Sequence, residues 1–548
     1  MPIVPLFTWL RRHRAPFART AAALLSALLC VAAQPGLGEI AWLGWLCFIP
    51  WLLVAQRVGV GEGAWLGLLV GIGFSLIGKW ATMHSVVVAA ELPLWGEILA
   101  HLAIFLPMAL PFVALGLTLP WLLRRSAAPV AMVQGAALFA IVSQLSTLLP
   151  PYTVVTLASH AVVFIQIADL GGLPLVIFVF ILLQLLAALA LQQAWQRRYP
   201  ALLRSMALWV GLLTLVLAYG HYRLVEYHTL AAANDGSRLR VLAVQSDVPS
   251  PGGARLVLRD HRDAPLSPLE LTRRGLARHP EAELVVWPEI DNGPPRSGAD
   301  YDEVCRRLPP IVATMGTPLL YNCFHYPAEG KMRSEAHLLD AQGQTVGRYQ
   351  KNHLVPFYET GRELFGATTL VSSGSGARAL QLADGRRLVP AICYDIHDAE
   401  LIRHGVAQGG QFILQMASFT AFGHRPQISA WDMAIARLRA VETRRPLLRV
   451  ANRGHSGLTL ASGEEDSAGF SPPTRRSARL HDAFAPNMQS PFVYWGIWPV
   501  MGLLALLLLI PLWPLRRASK EKLAIQSSPV SGQISTTAGN VNPTSGGR

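Results

Sequence analysis

The run Arg387-Leu-Val-Pro-Ala-Ile-Cys393-Tyr394-Asp395 decides how this chain is read. Its apolar stretch predicts a buried strand, and the strand ends on a cysteine with polar neighbours. A side chain at such an end stands where the backbone must turn sharply, which is where a nucleophile belongs. A lone cysteine beside a strand also reads as a small buried hydrophobe, so the remainder of the chain has to supply a base and a cation.

Two other runs have the same shape. Glu283-Leu-Val-Val-Trp-Pro-Glu289 ends on a carboxylate, and Gly347-Arg-Tyr-Gln-Lys351-Asn-His353-Leu-Val-Pro-Phe-Tyr-Glu359 places an ammonium after an extended segment. Strand ends on one edge of a sheet converge, so Glu289, Lys351 and Cys393 are expected to share a pocket. The thiolate is the reactive form of cysteine; a carboxylate takes its proton and an ammonium steadies the charge.

The ordered set Trp-Pro-Glu289, then Lys351-x-His-Leu-Val-Pro-Phe, then Cys393-Tyr394-Asp395 resembles the nitrilase superfamily of carbon–nitrogen hydrolases, whose members use a Glu-Lys-Cys triad. Joined to the apolar segments described below, it resembles one branch of that superfamily, the apolipoprotein N-acyltransferases. The resemblance implies a four-layered α-β-β-α sandwich with Glu289 as general base, Lys351 as oxyanion stabiliser and Cys393 as nucleophile. It also implies supporting roles for Glu359, Tyr394 and Asp395. Glu359 otherwise reads as a surface carboxylate in a turn, and Tyr394 as an aromatic that simply packs. Two departures stand out: Asp395 occupies a position where the branch has Glu, and Met416-Ala-Ser418-Phe-Thr-Ala-Phe422 replaces the branch's Asn-Asp-x-Trp-Phe.

Composition points to a membrane. The 548 residues are 52% hydrophobic and 15% charged, too apolar for an ordinary soluble enzyme of this length. The formal charge of +13 falls largely beside apolar segments, where basic residues set topology and meet anionic lipid, so nucleic acid is not an expected partner. Apolar runs near residues 21–33, 38–56, 63–81, 97–122, 129–148, 168–192, 204–222 and 496–514 each approach the roughly 20 residues that cross a bilayer as a helix. Basic residues before the first run resemble a signal peptide, but the further runs make it a retained span.

Eight alternating spans put Arg57, Arg124, Arg125, Arg197, Arg198, Arg204, Arg516 and Arg517 on the side of the N-terminal arginines. The positive-inside rule then places both termini in the cytoplasm and the long polar region outside the inner membrane. The expected organisation is a seven-helix domain over 1–224, a periplasmic nitrilase-like catalytic domain over 225–490, a final span over 491–515 and a cytoplasmic, disordered tail over 516–548.

Of the five cysteines, Cys30 and Cys47 fall in apolar helices, and Cys305 and Cys323 are available to pair in an oxidising compartment, which their spacing does not decide. Gln166-Ile-Ala-Asp169-Leu-Gly-Gly172 opens an otherwise apolar helix. It reads either as a capped helix entry with close packing or as a signature of the acyltransferase branch. His353, His397 and His424 have no ligand spacing, so neither a metal nor another cofactor is expected.

The resemblance implies a phospholipid acyl donor, a diacylglyceryl lipoprotein acceptor and a monomeric, membrane-embedded enzyme that completes lipoprotein maturation through a cysteine thioester. The alternatives are a membrane-bound carbon–nitrogen hydrolase or amidase, an N-acyltransferase with another acceptor, and a non-catalytic scaffold with an inherited fold.

Overall fold

The structure, a computed structural model, describes residues 4–77, 84, 87–88, 90–146, 153–248, 267–290, 303–328, 330–366, 371–420 and 426–509. The expected tail over 516–548, Phe422 and His424 lie outside these residues.

Among the described residues, four helices are long and apolar enough to cross a membrane: Pro16–Ala33 within Val4–Ala33, Leu94–Arg125, Ala168–Trp195 and Tyr199–Ala233. Four shorter apolar stretches accompany them, Ala41–Ala55, Val60–Leu76, Ala128–Gln144 and Trp498–Leu509. The expected span over 38–56 is broken into a 3-10 turn, Ala41–Trp45, and a short helix, Ile49–Ala55. Pro50 explains the break, because a proline is accommodated at the start of a helix and not within one. Helix pairing uses small residues: a Cβ on Gly63 or Gly67 would meet the backbone oxygens of Gly116 or Phe112 at 2.1 and 2.3 Å.

The last long helix continues to Ala233 and delivers the chain into a two-sheet sandwich. The first sheet has the order β11-β1-β2-β3-β4-β5, with β1 Gly236–Gln245, β2 Leu284–Val286, β3 Leu319–His325, β4 Arg333–Leu339, β5 Thr345–Gln350 and β11 Ser477–Pro486. The second has the order β10-β9-β8-β7-β6, with β6 Leu380–Gln381, β7 Arg387–Ile392, β8 Phe412–Ser418, β9 Leu447–Asn452 and β10 Gly457–Thr459. Strands β1, β2 and β3 run parallel, as do β7, β8 and β9.

Alternation along the strands makes four layers. Leu239, Val241 and Ala243 of β1 face Leu388, Ile392, Leu414 and Val450 in the core between the sheets. The intervening Leu242 and Val244 pack outward on the helices Pro268–Arg278 and Glu303–Met315 through Leu269, Leu308 and Val312. On the other side, Val389, Ala391 and Ile413 meet the helices Ala399–Ala407 and Pro426–Thr443 through Ile402, Val406, Ala436 and Ala440. With both faces covered, the strands are apolar almost throughout, which is why they read so clearly. Each fully buried Leu, Ile or Val contributes about 1.5–3 kcal/mol.

The Ser, Pro and Arg content of residues 463–490 reads as a loop or arm returning to the membrane, but Ser477–Pro486 is a full edge strand paired with β1 across ten positions, from Gly236↔Pro486 to Gln245↔Ser477. Its inward residues Ala483 and Ala485 are small, with exposed Asp482 between polar or small neighbours and Arg479 and His481 earlier on the same face, so its composition hides the period. Cys305 and Cys323 form a disulfide between the helix Glu303–Met315 and β3, with Cα atoms 5.7 Å apart.

Candidate active site

Cys393 follows β7 directly, and its φ of +49° turns the chain out of the strand into the 3-10 turn Cys393–His397. A left-handed conformation at a side chain of this kind costs on the order of 1–2 kcal/mol and persists only where the surroundings impose it. Asp395 imposes it. Its buried carboxylate accepts the Ile392 N–H at 2.9 Å and the Tyr349 hydroxyl at 2.8 Å through Oδ2, and the Asn352 and His353 N–H groups at 3.0 and 2.7 Å through Oδ1. One side chain thus ties the cysteine turn to the end of β5, where Lys351 is held between the donors of Asn352 and Tyr349.

Lys351 is buried, with its side chain 1% exposed. Its Nζ donates to Glu359 Oε1 at 2.7 Å and lies 3.6 Å from Glu289 Oε1. Glu359 is fixed in turn by the Val355 N–H on its other oxygen at 2.8 Å. Glu289 stands just beyond β2 and Lys351 just beyond β5, so the structure brings together the carboxylate and ammonium named from sequence. Tyr394 stacks on the His353 imidazole at 4.9 Å between ring centroids and meets the tilted His397 ring at 4.8 Å.

These surroundings set the charges. Burial opposes a charged Lys351, but Glu289 and Glu359 outweigh it and hold the ammonium well above the usual lysine range. For Cys393, burial and then the Glu289 carboxylate push the thiol well above its ordinary value, and Lys351 opposes them only in part. The resting site is therefore a neutral thiol beside a permanent cation and two carboxylates. Burial also lifts Asp395 to about 6, against the pull of the N–H groups of His353 and Ile392.

Beneath the turn lies a second set of polar side chains that sequence reasoning missed. Asp432, in the helix Pro426–Thr443, accepts from Gln415 at 2.8 Å and pairs with His397 at 2.9 Å and Arg449 at 3.0 Å. Gln415 also donates to the Cys393 carbonyl at 3.3 Å, so this set supports the nucleophile's own backbone. Burial pushes the Asp432 carboxyl up, but Arg449 and His397 outweigh it and hold it below its ordinary value. His397, considered in the sequence only as a metal ligand, serves here as an ion-pair partner.

The segment Gln166–Gly172 also has a definite place. Asp169 Oδ2 receives Arg444 Nη2 at 2.7 Å and Nε at 3.0 Å and pairs with Arg223 Nε at 2.9 Å, while Tyr219 donates to Oδ1 at 2.8 Å. Gln166 accepts from Arg444 and donates to the Ser462 carbonyl at 2.7 Å. Gly172 has φ +67°, and a Cβ there would meet the Phe492 ring at 2.7 Å. The segment is a weld between the helical region and the sandwich, so the packing reading of its residues has a concrete basis.

Residues 214–483 match the carbon–nitrogen hydrolase family. Among curated proteins, the chain is 28% identical over 286 residues to an apolipoprotein N-acyltransferase of Methylococcus capsulatus, covering 49% of this chain and 53% of that protein. It is 27% identical over 256 residues to one from Vibrio vulnificus, covering 44% and 49%. A third, from Azotobacter vinelandii, is 28% identical over 380 residues, covering 65% and 67%. In the first two comparisons the chain spans about half the length of its relative. Solved structures similar to it include an amidase from Nesterenkonia sp., 19% identical over 49% of this chain and 97% of that one with a TM-score of 0.36. A carbon–nitrogen hydrolase from Helicobacter pylori is 15% identical over 45% and 88%, also with a TM-score of 0.36. Residues 214–483 thus carry the carbon–nitrogen hydrolase match, and the chain is similar to curated apolipoprotein N-acyltransferases.

Proposed function

We propose that the protein is a phospholipid-dependent N-acyltransferase that acylates the α-amino group of a diacylglyceryl cysteine at a lipoprotein N-terminus. The observation that carries this reading is the buried Lys351 ammonium between Glu289 and Glu359 on the same site as Cys393 at its strained strand end. Such a site forms and resolves an acyl-cysteine.

In the first half-reaction Glu289 takes the thiol proton as sulfur attacks the ester carbonyl carbon, because the resting thiol is protonated. A C–S bond forms, and the oxyanion develops against the Lys351 ammonium. Collapse breaks the ester C–O bond, and the leaving lysophospholipid oxygen takes the proton from Glu289. In the second half-reaction the acceptor amine attacks the thioester and gives a proton to Glu289. The C–N bond forms, the C–S bond breaks, and that proton returns to sulfur. Glu359 holds Lys351 in place, and Asp395 and Tyr394 hold the turn.

The topology belongs to the same proposal. Eight spans, with residues 225–490 on the periplasmic face and both termini in the cytoplasm, follow from the placement of basic residues; the four long and four shorter apolar helical stretches are compatible with them. The Cys305–Cys323 disulfide favours an oxidising compartment for the sandwich.

The test is intact mass spectrometry of the detergent-purified protein incubated with phospholipid. The reading requires a hydroxylamine-sensitive acyl adduct that is absent from Cys393→Ala and is discharged by a diacylglyceryl-cysteine peptide with N-acylation of that peptide. The family match gives a second reading, a membrane-bound carbon–nitrogen hydrolase; an adduct discharged by water alone at the same rate with and without the peptide would establish it instead.

A further inference from the structure

Two cavities away from Cys393 adjoin at His160. The first, about 560 Å³, is a slot lined by Trp45, Phe164, Leu183, Ala187, Trp209 and neighbouring apolar residues. Its one amide side chain, Gln184, is committed to backbone: it accepts from Phe48 N at 3.0 Å and donates to the Gly44 carbonyl at 3.3 Å. The Trp209 indole N–H is likewise spent on the Leu183 carbonyl at 3.0 Å. Apart from His160, which it shares with the second cavity, the slot therefore presents apolar side chains. Leu46 and Leu217 in its lining are 45% and 40% exposed, so it opens sideways on the apolar flank of the helices.

The second cavity, about 360 Å³, lies where the turn after the first helix meets the sandwich. Gly36 there has φ +73° and packs so closely on the helix Pro426–Thr443 that a Cβ would meet Gln427 at 2.7 Å. This pocket is the more polar of the two. It carries Glu39, Glu465, Arg437, His160 and His455. Arg437 pairs with Glu465 at 2.7 Å, which leaves the lining one carboxylate in excess. Burial lowers both histidines, His455 with help from Arg449 and to about 4, so neither adds a positive charge at neutral pH.

We propose that the two cavities form one binding site for a single phospholipid bearing a protonated amine in its headgroup. One acyl chain lies in the slot, and the headgroup lies in the polar pocket with its ammonium toward Glu39 and Glu465 and its phosphate toward Arg437. Each compartment has a size usual for ligand sites. An apolar slot and a net-negative polar pocket end to end match the two ends of such a molecule and of no purely polar ligand. This lipid is not the reacting one. Ala430, Met433 and Arg437 line the pocket on one face of the helix Pro426–Thr443, whereas Asp432 turns from another face toward Gln415 and the cysteine turn.

The test is lipid retention, measured by native mass spectrometry in the Cys393→Ala background so that no acyl transfer enters the readout. The protein is equilibrated in mixed micelles holding equal amounts of ethanolamine-headgroup and glycerol-headgroup phospholipid, then stripped into detergent. We expect one retained phospholipid per chain, with the ethanolamine form favoured at least fivefold. Ala187→Trp and, separately, Ala161→Trp, which fill the slot from different elements, lower retention at least tenfold while the thermal transition stays within a few degrees of the parent. Glu39→Gln keeps the lipid and brings the two headgroups to parity. Retention unchanged in either folded tryptophan variant, headgroups taken in the ratio supplied by the parent, or detergent alone in the site would each overturn the proposal. None of these outcomes depends on whether Cys393 becomes acylated.

Discussion

Asp395 accepts the backbone N–H of His353 at 2.7 Å, so a residue two beyond the cysteine positions the segment that carries the lysine. Its other contacts, to Asn352, Ile392 and Tyr349, close the same clamp from both sides. Asp395→Ala removes all four at once and leaves the buried Ile392 N–H unsatisfied, at about 1–3 kcal/mol, and the partly buried Asn352 and His353 N–H groups without their acceptor at a smaller cost each. Acyl-enzyme formation should fall by about 10²-fold or more, as expected for a misplaced catalytic group. Single-turnover mass spectrometry reads the rate and thermal unfolding the stability; a variant that loses stability but acylates at the parent rate would show that Asp395 supports only the fold.

The clamp is itself pH-dependent. Burial raises Asp395 to about 6, above the ordinary aspartate value, so the folded protein binds this proton more tightly than the unfolded chain. The group's contribution to stability is therefore greatest below the ordinary value, declines as pH rises toward 6 and is constant above that. Reactivity runs the other way, because the two N–H groups on Oδ1 and the one from Ile392 all need an acceptor. The acylation rate should rise to a plateau through an apparent pKa near 6. Asp395→Asn should remove that inflection, and an inflection that persists in this variant would assign it to another group.

The Glu289 carboxylate holds the Cys393 thiol high, and this separates two properties that usually move together. Glu289→Gln removes the negative charge, so the thiol pKa falls and the thiolate fraction at pH 8–9 rises. Alkylation of Cys393 by iodoacetamide should accelerate several-fold in the variant, while acylation by phospholipid falls by about 10²–10⁴-fold for want of a base. If alkylation and acylation fall together, Glu289 is acting on the shape of the site and not through its charge.

Glu359 is the nearer carboxylate to Lys351, at 2.7 Å against 3.6 Å for Glu289. Glu359→Gln keeps the shape but weakens the hold on Nζ, and the lysine pKa moves down toward its ordinary range while the group remains charged at neutral pH. Acyl-enzyme formation should drop by about 10–10²-fold, less than the loss from Lys351→Met, which removes a donor to the oxyanion altogether. Equal losses in the two variants would make Glu359 a direct participant.

The polar ends of β7 and β5 and the carboxylate beyond β2 were legible because each closes an apolar run with one ionisable residue, and the order of the three is distinctive. The layers were legible because strands buried on both faces leave continuous apolar runs. What stayed hidden depends on pairing across the fold. Asp432 and Gln415 sit on elements whose patterns suit any amphipathic helix or buried strand, and their meeting beneath Cys393 has no local signature. The strand Ser477–Pro486 hid for a related reason: alanines do the inward packing, and alanine carries little strand signal. The break before Ile49–Ala55 was available in Pro50, but a count of apolar residues passes over it.

Asp169 and Arg444, separated by 275 positions and both without exposed side-chain surface, form a buried ion pair across the fold. Asp169 also faces Arg223, so its single charge answers two guanidinium groups. Asp169→Asn leaves the buried Arg444 without a counter-charge and Arg223 with Glu226 alone, which should destabilise the protein by about 3–5 kcal/mol. The lost energy lies at the junction of the helices with the sandwich, so limited proteolysis near Ala233 should accelerate together with thermal unfolding. Adding Arg444→Gln to the variant removes the stranded cation, and the double variant should be more stable than Asp169→Asn alone, a coupling measurable by a double-mutant cycle. Additive losses in the cycle would mean that Arg444 is held by Gln166 and its surroundings and owes little to the aspartate, and the weld would then have to be sought in the close packing at Gly172.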